Sequence, residues 1–235
     1  MVQKTQMQEQ LKELKRNLLK MSTLVEERLR DAIESLIKRD SQLAQRLIDR
    51  DDEIDRFDNF IDDLCLRLLR SGQAKETDLP FITRAMKIVT DLERMGDYAV
   101  NVAKRAILLN ETPQVKPYTD LPRMAEVVQS MVKDIIDAFL NRNVVLARSV
   151  WERDDLVDSL DDQIFRELTT YTVTDPSTTE RAIHLVIVSR YMERIADHAT
   201  NIAGDIIFIE TGETIKHQPK IKDFAGKKGT SPLPA

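Results

Sequence analysis

Acidic and amide side chains recur in this sequence at a spacing that suits cation binding. The stretch DLERMGDYAVNVAKR, residues 91–105, returns one hundred residues later as YMERIADHATNIAGD, residues 191–205. Both copies place Glu, Asp and Asn at four-residue steps, as Glu93, Asp97 and Asn101 and then as Glu193, Asp197 and Asn201. Positions four apart lie on one face of an α-helix. Each copy therefore predicts a row of oxygen-bearing side chains along one helix.

A second pair of segments carries a similar row. LAQRLIDRDDEIDRFDNFI, residues 43–61, aligns with LARSVWERDDLVDSLDDQI, residues 146–164, at an offset of 103 residues. The shared acids are Asp51, Asp55 and Asp58 in the first segment and Asp154, Asp158 and Asp161 in the second. In the first segment this stripe continues to Asp62 and flanks the apolar ridge of its helix, so it can face a neighbouring helix.

Two facing acidic rows would repel each other unless a cation lay between them. Clustered carboxylate and amide oxygens suit hard ions such as Mg²⁺, Ca²⁺, Mn²⁺ or oxidised iron. The candidate ligands are Asp51, Asp55, Glu93, Asp97, Asp154, Asp158, Glu193 and Asp197, with Asp58, Asn101, Asp161 and Asn201 as additional candidates. The alternative is that the rows are solvated faces neutralised by Arg50, Arg94, Arg153 and Arg194.

Other residues that often carry chemistry offer less. His198 could add a nitrogen ligand beside Asp197, but its counterpart in the first copy is Tyr98. His184 lies in an apolar stretch and is predicted to be packed or interfacial, and Cys65 is predicted to be buried. The sequence shows no Ser-His-Asp spacing, Gly-rich phosphate loop or Cys/His zinc pattern, and no Glu-x-x-His of the carboxylate-bridged iron enzymes.

Composition narrows the class of protein further. The net charge of −5 argues against wholesale binding to nucleic acid. A single cysteine, no secretory signal at the N-terminus and no apolar run of about 20 residues predict a soluble cytoplasmic protein.

The elements that must position the acidic rows are helices, because apolar residues recur at three- and four-residue steps and aromatic residues make up only 5% of the chain. We predict helices at about 6–37, 41–69, 81–109, 123–139, 144–171 and 179–209. With the repeats, this is an all-α fold of two tandem antiparallel three-helix bundles related by a pseudo-two-fold internal repeat. The predicted boundaries are a first bundle at 1–112, a linker at 113–122, a second bundle at 123–210 and a mobile tail at 211–235.

From about residue 10 to residue 209 the chain resembles the PhoU family, whose members are two tandem three-helix bundles with a repeated Glu/Asp-x-x-x-Asp motif. Here the motif stands at 51–55, 93–97, 154–158 and 193–197, and the words LERMGDYAVNVAKR and MERIADHATNIAGDIIF look like the family's most recognisable segments. Four motifs in the right order make the resemblance specific.

The resemblance implies a cytoplasmic, non-enzymatic negative regulator of phosphate uptake and of the phosphate-starvation response. It implies partners in the ATPase subunit of a phosphate ABC transporter and in a membrane sensor histidine kinase. It also implies metal ions at the acidic motifs, among them iron, zinc, magnesium or manganese, and a homodimer. Two alternatives stay open at this point: a metal-dependent helical-bundle enzyme or metal-storage protein, and a helical scaffold whose acidic rows bind nothing.

Overall fold

The structure, a computed structural model, describes residues 2–214, with side chains described from Gln6 onward. The described residues form helices, turns and loops, with no strand among them. The α-helices are α1 Val2–Ile37, α2 Ser41–Asp49, α3 Asp52–Arg70, α4 Leu79–Asn110, α5 Asp120–Asn141, α6 Val144–Thr174 and α7 Thr179–Thr211, and a 3₁₀ turn at Pro176–Thr178 precedes α7. The predicted all-α fold is confirmed. Part of the predicted tail, from residue 215 onward, lies outside the described residues.

One predicted helix is two helices in the structure. The predicted second helix, 41–69, is interrupted at Arg50 and Asp51, where backbone bonds of the tighter i+3 type run from Arg50 N to Leu47 O and from Asp51 N to Ile48 O. The corresponding stretch of the second copy continues without a break inside α6. The sequence shows no Gly or Pro at the break, so periodicity alone misses it.

The helix boundaries follow local sequence signals. The Asp40 side chain accepts hydrogen bonds from the first backbone amides of α2, and the Asn143 side chain does the same for α6. Helix α5 begins at Asp120, inside the predicted linker. Pro122 lies in its first turn, where the missing N–H costs no intrahelical hydrogen bond. Gly212 ends α7 in the left-handed conformation that glycine adopts without strain.

The helices pack as two units that share one core. Helix α1 packs on α2, α3 and α4 in the first unit, and α5, α6 and α7 pack on one another in the second. The units meet where α4 packs on α7 and α1 packs on α5. Within residues 2–214, apolar side chains from each of the helices α1 to α7 form a continuous buried cluster. Among the described residues, no helix is both long and apolar enough to cross a membrane.

Polar contacts cross the boundary between the units along one line, which we call the α4–α7 seam. At one end, Arg84 and Lys87 pair with Asp205 at 3.2 and 2.5 Å. In the middle, Asp91 forms a hydrogen bond of 2.8 Å with His198, and Tyr98 stacks on Tyr191 with ring centroids 5.7 Å apart. At the other end, Arg105 lies 3.1 Å from His184. From Arg84 to Arg105 each seven-residue step along α4 meets a seven-residue step back along α7. This is the register of two antiparallel helices packed along heptads.

The seam also follows the internal repeat. Residues 84, 91, 98 and 105 correspond to 184, 191, 198 and 205 at the hundred-residue offset, so the same four positions supply both sides. The Asp91–His198 pair is thereby related to the Tyr98–Tyr191 stack by the pseudo-two-fold axis. The prediction that His184 is packed or interfacial is confirmed, because it lies half-buried at this seam.

Candidate functional site

The two acidic rows of each copy lie on helices that pack against each other. We call the pair on α3 and α4 the first acidic face, comprising Asp51 at the N-cap of α3, Asp55, Asp58 and Asp62 on α3, and Glu93, Asp97 and Asn101 on α4. The pair on α6 and α7 is the second acidic face, comprising Asp154, Asp158, Asp161, Glu193, Asp197 and Asn201. Tertiary packing therefore places the two rows of each copy on adjacent helices.

Within the first face the carboxylates act on one another. Burial raises the pKa of Glu93, and repulsion from Asp97, Asp58 and Asp55 raises it further. Burial also raises the pKa of Asp97, and the charges of Asp51 at the N-cap of α3 and of Asp55 on α3 raise it further. Charges on α3 thus reach groups on α4, which shows that the two rows share one electrostatic environment.

The same holds further along α3. Burial raises the pKa of Asp58, and Asp62 and Asp55 raise it further. Asp62 has one carboxylate oxygen, Oδ1, that is buried and accepts no hydrogen bond. A buried carboxylate oxygen without a donor is costly, and a bound cation would relieve that cost.

The carboxylates of the second face also repel one another, but the buried residues of this face differ from those of the first. Burial raises the pKa of Glu193, Asp197 raises it further, and Asp161 and Asp158 add to it against the opposing charge of Arg190. Asp154 and Asp161 are buried, whereas Asp158, Asp197 and Asn201 are exposed. Both rows of the second face thus contain at least one exposed side chain, so the face is open to solvent.

Not all the arginines that the sequence offered as counter-ions lie on the faces. Arg50 pairs with Glu53, Arg153 pairs with Asp134, and Arg194 lies over the ring of Tyr98. The faces are contacted instead by two arginines that sequence reasoning missed. Arg28 of α1 reaches Asp51, and Arg190 of α7 reaches Asp161 at 2.8 Å.

A signal for Arg28 is present in the sequence. On α1 it stands three residues after Val25 and four before Ala32, both fully buried, so it is a charged residue at a core-facing position. Such a residue must have a buried partner. Ser189, which donates to Asp161 at 2.8 Å, was also missed.

The remaining sequence candidates take other roles. The Nδ1 atom of His198 bonds Asp91 across the seam, so this histidine already has a carboxylate partner. Cys65 is fully buried, as predicted, and burial together with the charge of Asp62 raises the pKa of its thiol to about 12. A thiol in that state is not a nucleophile at neutral pH.

The donor set of both faces fits a hard cation by its chemistry, because it consists of carboxylate and amide oxygens held among like charges. The side chains do not form a finished site: in residues 2–214 no three His, Cys, Asp or Glu side chains are grouped closely enough to hold an ion. Cation binding would require carboxylates of the facing helices to turn toward each other, and Asp55, Asp97, Asp158 and Asp197 are the exposed carboxylates of the two faces.

The fold and the faces together define a class: a two-unit helical protein with a repeated acidic face on each unit. The PhoU domain model matches the chain twice, at residues 18–106 and 121–206. The chain therefore belongs to the PhoU family, as the motifs indicated.

Individual relatives align with this chain over most of their length. The phosphate-specific transport system accessory protein PhoU homolog of Aquifex aeolicus (strain VF5) is 45% identical over 210 residues, which cover 89% of this chain and 95% of that protein. The crystal structure of PhoU from Pseudomonas aeruginosa superposes with a TM-score of 0.83 at 38% identity, covering 88% of this chain and 99% of that one. The phosphate transport system regulatory protein PhoU from Streptococcus pneumoniae superposes with a TM-score of 0.80 at 27% identity, covering 89% and 99%.

Proposed function

We propose that this protein is a cytoplasmic negative regulator of phosphate uptake and of the phosphate-starvation response. It acts by contact with the ATPase subunit of a phosphate ABC transporter and with a membrane sensor histidine kinase. The observation that carries this proposal is that both units match the PhoU domain and that relatives named as phosphate-transport accessory or regulatory proteins match over nearly their whole length. Those names describe accessory and regulatory proteins, which supports a role without catalysis. A homodimer is part of the same proposal.

The acidic faces give this regulator a second property in the proposal, which is metal binding. The donors are Asp51, Asp55, Glu93 and Asp97 on the first face and Asp154, Asp158, Glu193 and Asp197 on the second, with Asp58, Asn101, Asp161 and Asn201 as further oxygens. Because every donor is an oxygen, magnesium, manganese and oxidised iron suit the faces better than zinc does. A bound cation would lower the negative charge of the surface that a partner meets and would lock the facing helices together.

The regulatory role is tested in cells of the source organism that lack this gene. Wild type should restore repression of phosphate-starvation genes when phosphate is plentiful, and Asp97→Ala with Asp197→Ala should restore it poorly. The matched control is Glu76→Gln with Glu111→Gln, which removes two exposed carboxylates outside both faces. Circular dichroism of the purified variants shows whether they are folded.

Three outcomes separate the parts of the proposal. Failure of wild type to restore repression contradicts the regulatory role. Full repression by the Asp97/Asp197 variant leaves regulation standing and contradicts a role for the acidic faces. Partner contact is tested separately, since the tagged protein should retain the transporter ATPase and the kinase when each is co-expressed with it, and retention of neither contradicts the mechanism.

A further inference from the structure

An open groove with an apolar lining runs between α1 and α3 on the surface of the first unit. Its volume is about 630 Å³, and its apolar side chains are Leu19, Leu24 and Phe57. A second cavity of about 290 Å³ extends it toward α2 and shares Leu24 with it. Leu19 is 46% exposed, which is high for a large apolar side chain. Apolar side chains gathered in a surface groove are typical of a protein–protein interface.

The exposed side of α1 beside this groove changes sign of charge near its middle. Arg16 and Lys20 are exposed on the N-terminal side of Thr23. On the C-terminal side, Glu27 is exposed and Asp31 is half-buried. Steps of four and seven residues place these four charges on one face of the helix. Half of the face is therefore positive and the other half is negative.

Such a face complements a second copy of itself when the two helices run antiparallel. About a two-fold axis at the middle of the face, Arg16 of one copy meets Asp31 of the other, and Lys20 meets Glu27. The axis repeats both contacts, because a two-fold interface uses the same patch on each copy. Asp31 also contacts the adjacent Arg30 at 3.2 Å, and a pair exposed to this degree contributes little in water.

The second unit does not carry this pattern of charges. Arg39 and Arg142, the non-glycine residues with positive φ in the described chain, are 103 residues apart and fix the alignment of the two units. At this offset the positions of the four charges are occupied by Thr119, Arg123, Ser130 and Asp134. The change of sign is therefore a property of α1 and not of the repeat.

The second unit uses two of these positions to hold its own helices together. Arg153 of α6 donates hydrogen bonds to Ser130 and Asp134 of α5, at 2.8 and 2.6 Å. Arg50, the counterpart of Arg153, pairs with Glu53 instead. The first unit thus presents at its surface the positions that the second unit uses internally.

We propose that the α1–α3 surface of the first unit is the interface of a homodimer in which the two α1 helices pack antiparallel. This rests on the homodimer in the proposed function and assigns its interface and its direction. The apolar side chains of the groove form its centre, and the charge pairs on either side of the two-fold axis fix its direction. A partner of another sequence would not require a change of sign at the middle of the face, whereas a second copy does.

The test is an exchange of charges, with dimerisation of the full-length protein measured by sedimentation velocity over a series of concentrations. Lys20→Glu and Glu27→Lys should each weaken the dimer about tenfold, because each places like charges opposite one another on both sides of the axis. The double variant should restore wild-type dimerisation. Positions 20 and 27 lie about 10 Å apart along one helix, so restoration would arise across the interface and not within one chain.

The apolar centre is tested in the same way with a matched control. Leu19→Ser should weaken the dimer about tenfold or more, because the change occurs twice in a two-fold interface. Leu108→Ser removes a side chain of nearly equal exposure, 45%, from α4 and should leave dimerisation unchanged. Melting curves show whether each variant is folded, and the substituted positions are exposed in the single chain.

The outcomes separate this proposal from the one on which it rests. A wild-type protein that stays monomeric overturns both the interface and the homodimer, and leaves the regulatory role to the repression assay. A dimer that Lys20→Glu and Leu19→Ser do not weaken overturns the interface alone. If those variants instead lose only the co-expressed transporter ATPase, the groove binds that partner and the proposal is wrong. Failure of the double variant to restore dimerisation overturns the antiparallel arrangement.

Discussion

At the scale of single residues, ionised carboxylates of the acidic faces lower the stability of the folded protein, because they are partly buried and repel one another. Glu93 shows this most fully, because burial and three neighbouring acids all raise its pKa above the ordinary value of 4.5. A folded-state pKa that is raised means that the folded protein binds a proton more readily than the unfolded chain does. Stability is therefore present at low pH and is lost as the pH rises through the raised pKa.

This predicts a pH-dependent gain from removing the charge of Glu93. Glu93→Gln should raise the melting temperature by a few degrees at pH 7 in metal-free buffer, because it removes a repelled and partly buried charge. The gain should shrink as the pH falls and should vanish well below pH 4.5, where the glutamic acid is neutral in both states. Melting temperatures across this range measure the difference.

The control is Glu76→Gln, a change of the same chemistry at an exposed position outside the faces. It should leave the melting temperature nearly unchanged at both ends of the pH range. If Glu93→Gln melts at or below the wild-type temperature at pH 7, the carboxylates of the first face do not repel one another in the way their packing implies.

At the scale of helices, the two units fill one corresponding contact between neighbouring helices with different side chains. Gly96 on α4 faces Ile54 on α3, and a methyl group placed on Gly96 would stand 2.5 Å from Ile54 Cδ1. The second copy has Ala196 and Val157 at the corresponding positions. The combined volume of the two side chains is thus nearly the same in both copies. The first copy has the smaller residue on α4 and the larger one on α3, and the second copy has two residues of intermediate size.

This exchange predicts a compensating pair of substitutions. Gly96→Ala alone should destabilise the protein, because crowding of the fully buried Ile54 costs about 1–3 kcal/mol and outweighs about 1 kcal/mol of gained helix propensity. Ile54→Val alone should cost about 1 kcal/mol. The double variant, which recreates the pair of the second unit, should be more stable than Gly96→Ala, as measured by urea denaturation of all four proteins.

Additive effects of the two substitutions would show that Gly96 is not in tight contact with Ile54. The interpretation depends on equal m-values among the four proteins, because a changed m-value would indicate a change in the surface exposed on unfolding.

At the scale of the whole molecule, the seam between α4 and α7 sets how the two units face each other. Each polar residue of the seam needs one particular partner on the other helix, so these contacts fix how α4 is aligned along α7. The apolar side chains around them would tolerate a small shift of one helix along the other. The Asp91–His198 bond lies in the interior part of the seam. One oxygen of the buried Asp91 carboxylate, Oδ2, has no hydrogen-bond partner, so this residue depends on the one bond it makes through Oδ1.

A double-mutant cycle should detect this dependence. Asp91→Ala and His198→Ala should each lower the free energy of unfolding by about 1–3 kcal/mol, because each leaves a partly buried polar partner unpaired. The double variant should cost clearly less than the two single changes together, with a coupling of about 0.5–3 kcal/mol. Chemical denaturation measures all four proteins.

The comparison pair is Asp91→Ala with Glu76→Gln, which share no contact, so their effects should add to within about 0.5 kcal/mol. Coupling of Asp91 to His198 no larger than in this pair would mean that the bond contributes nothing to holding the units together.

The sequence by itself determined the features that depend on neighbours along the chain. Helical periodicity, the duplicated units and the rows at Glu93 and Glu193 all follow from spacing, because residues three and four apart share a helix face whatever surrounds the helix. Capping by Asp40 and Asn143 is equally local. The all-α fold and the membership of the candidate rows were predictable for this reason.

Only the tertiary structure decided the features that join distant parts of the chain. Arg28 contacts Asp51 at the break from 23 residues away, and the seam joins Asp91 to His198 across 107 residues. The sequence offered nearby arginines as counter-ions, but packing brought Arg28 to one end of the first face and Arg190 to one end of the second. The reason is physical: a buried charge takes the partner that the packed helices place beside it, and that choice is made by the fold and not by position along the chain.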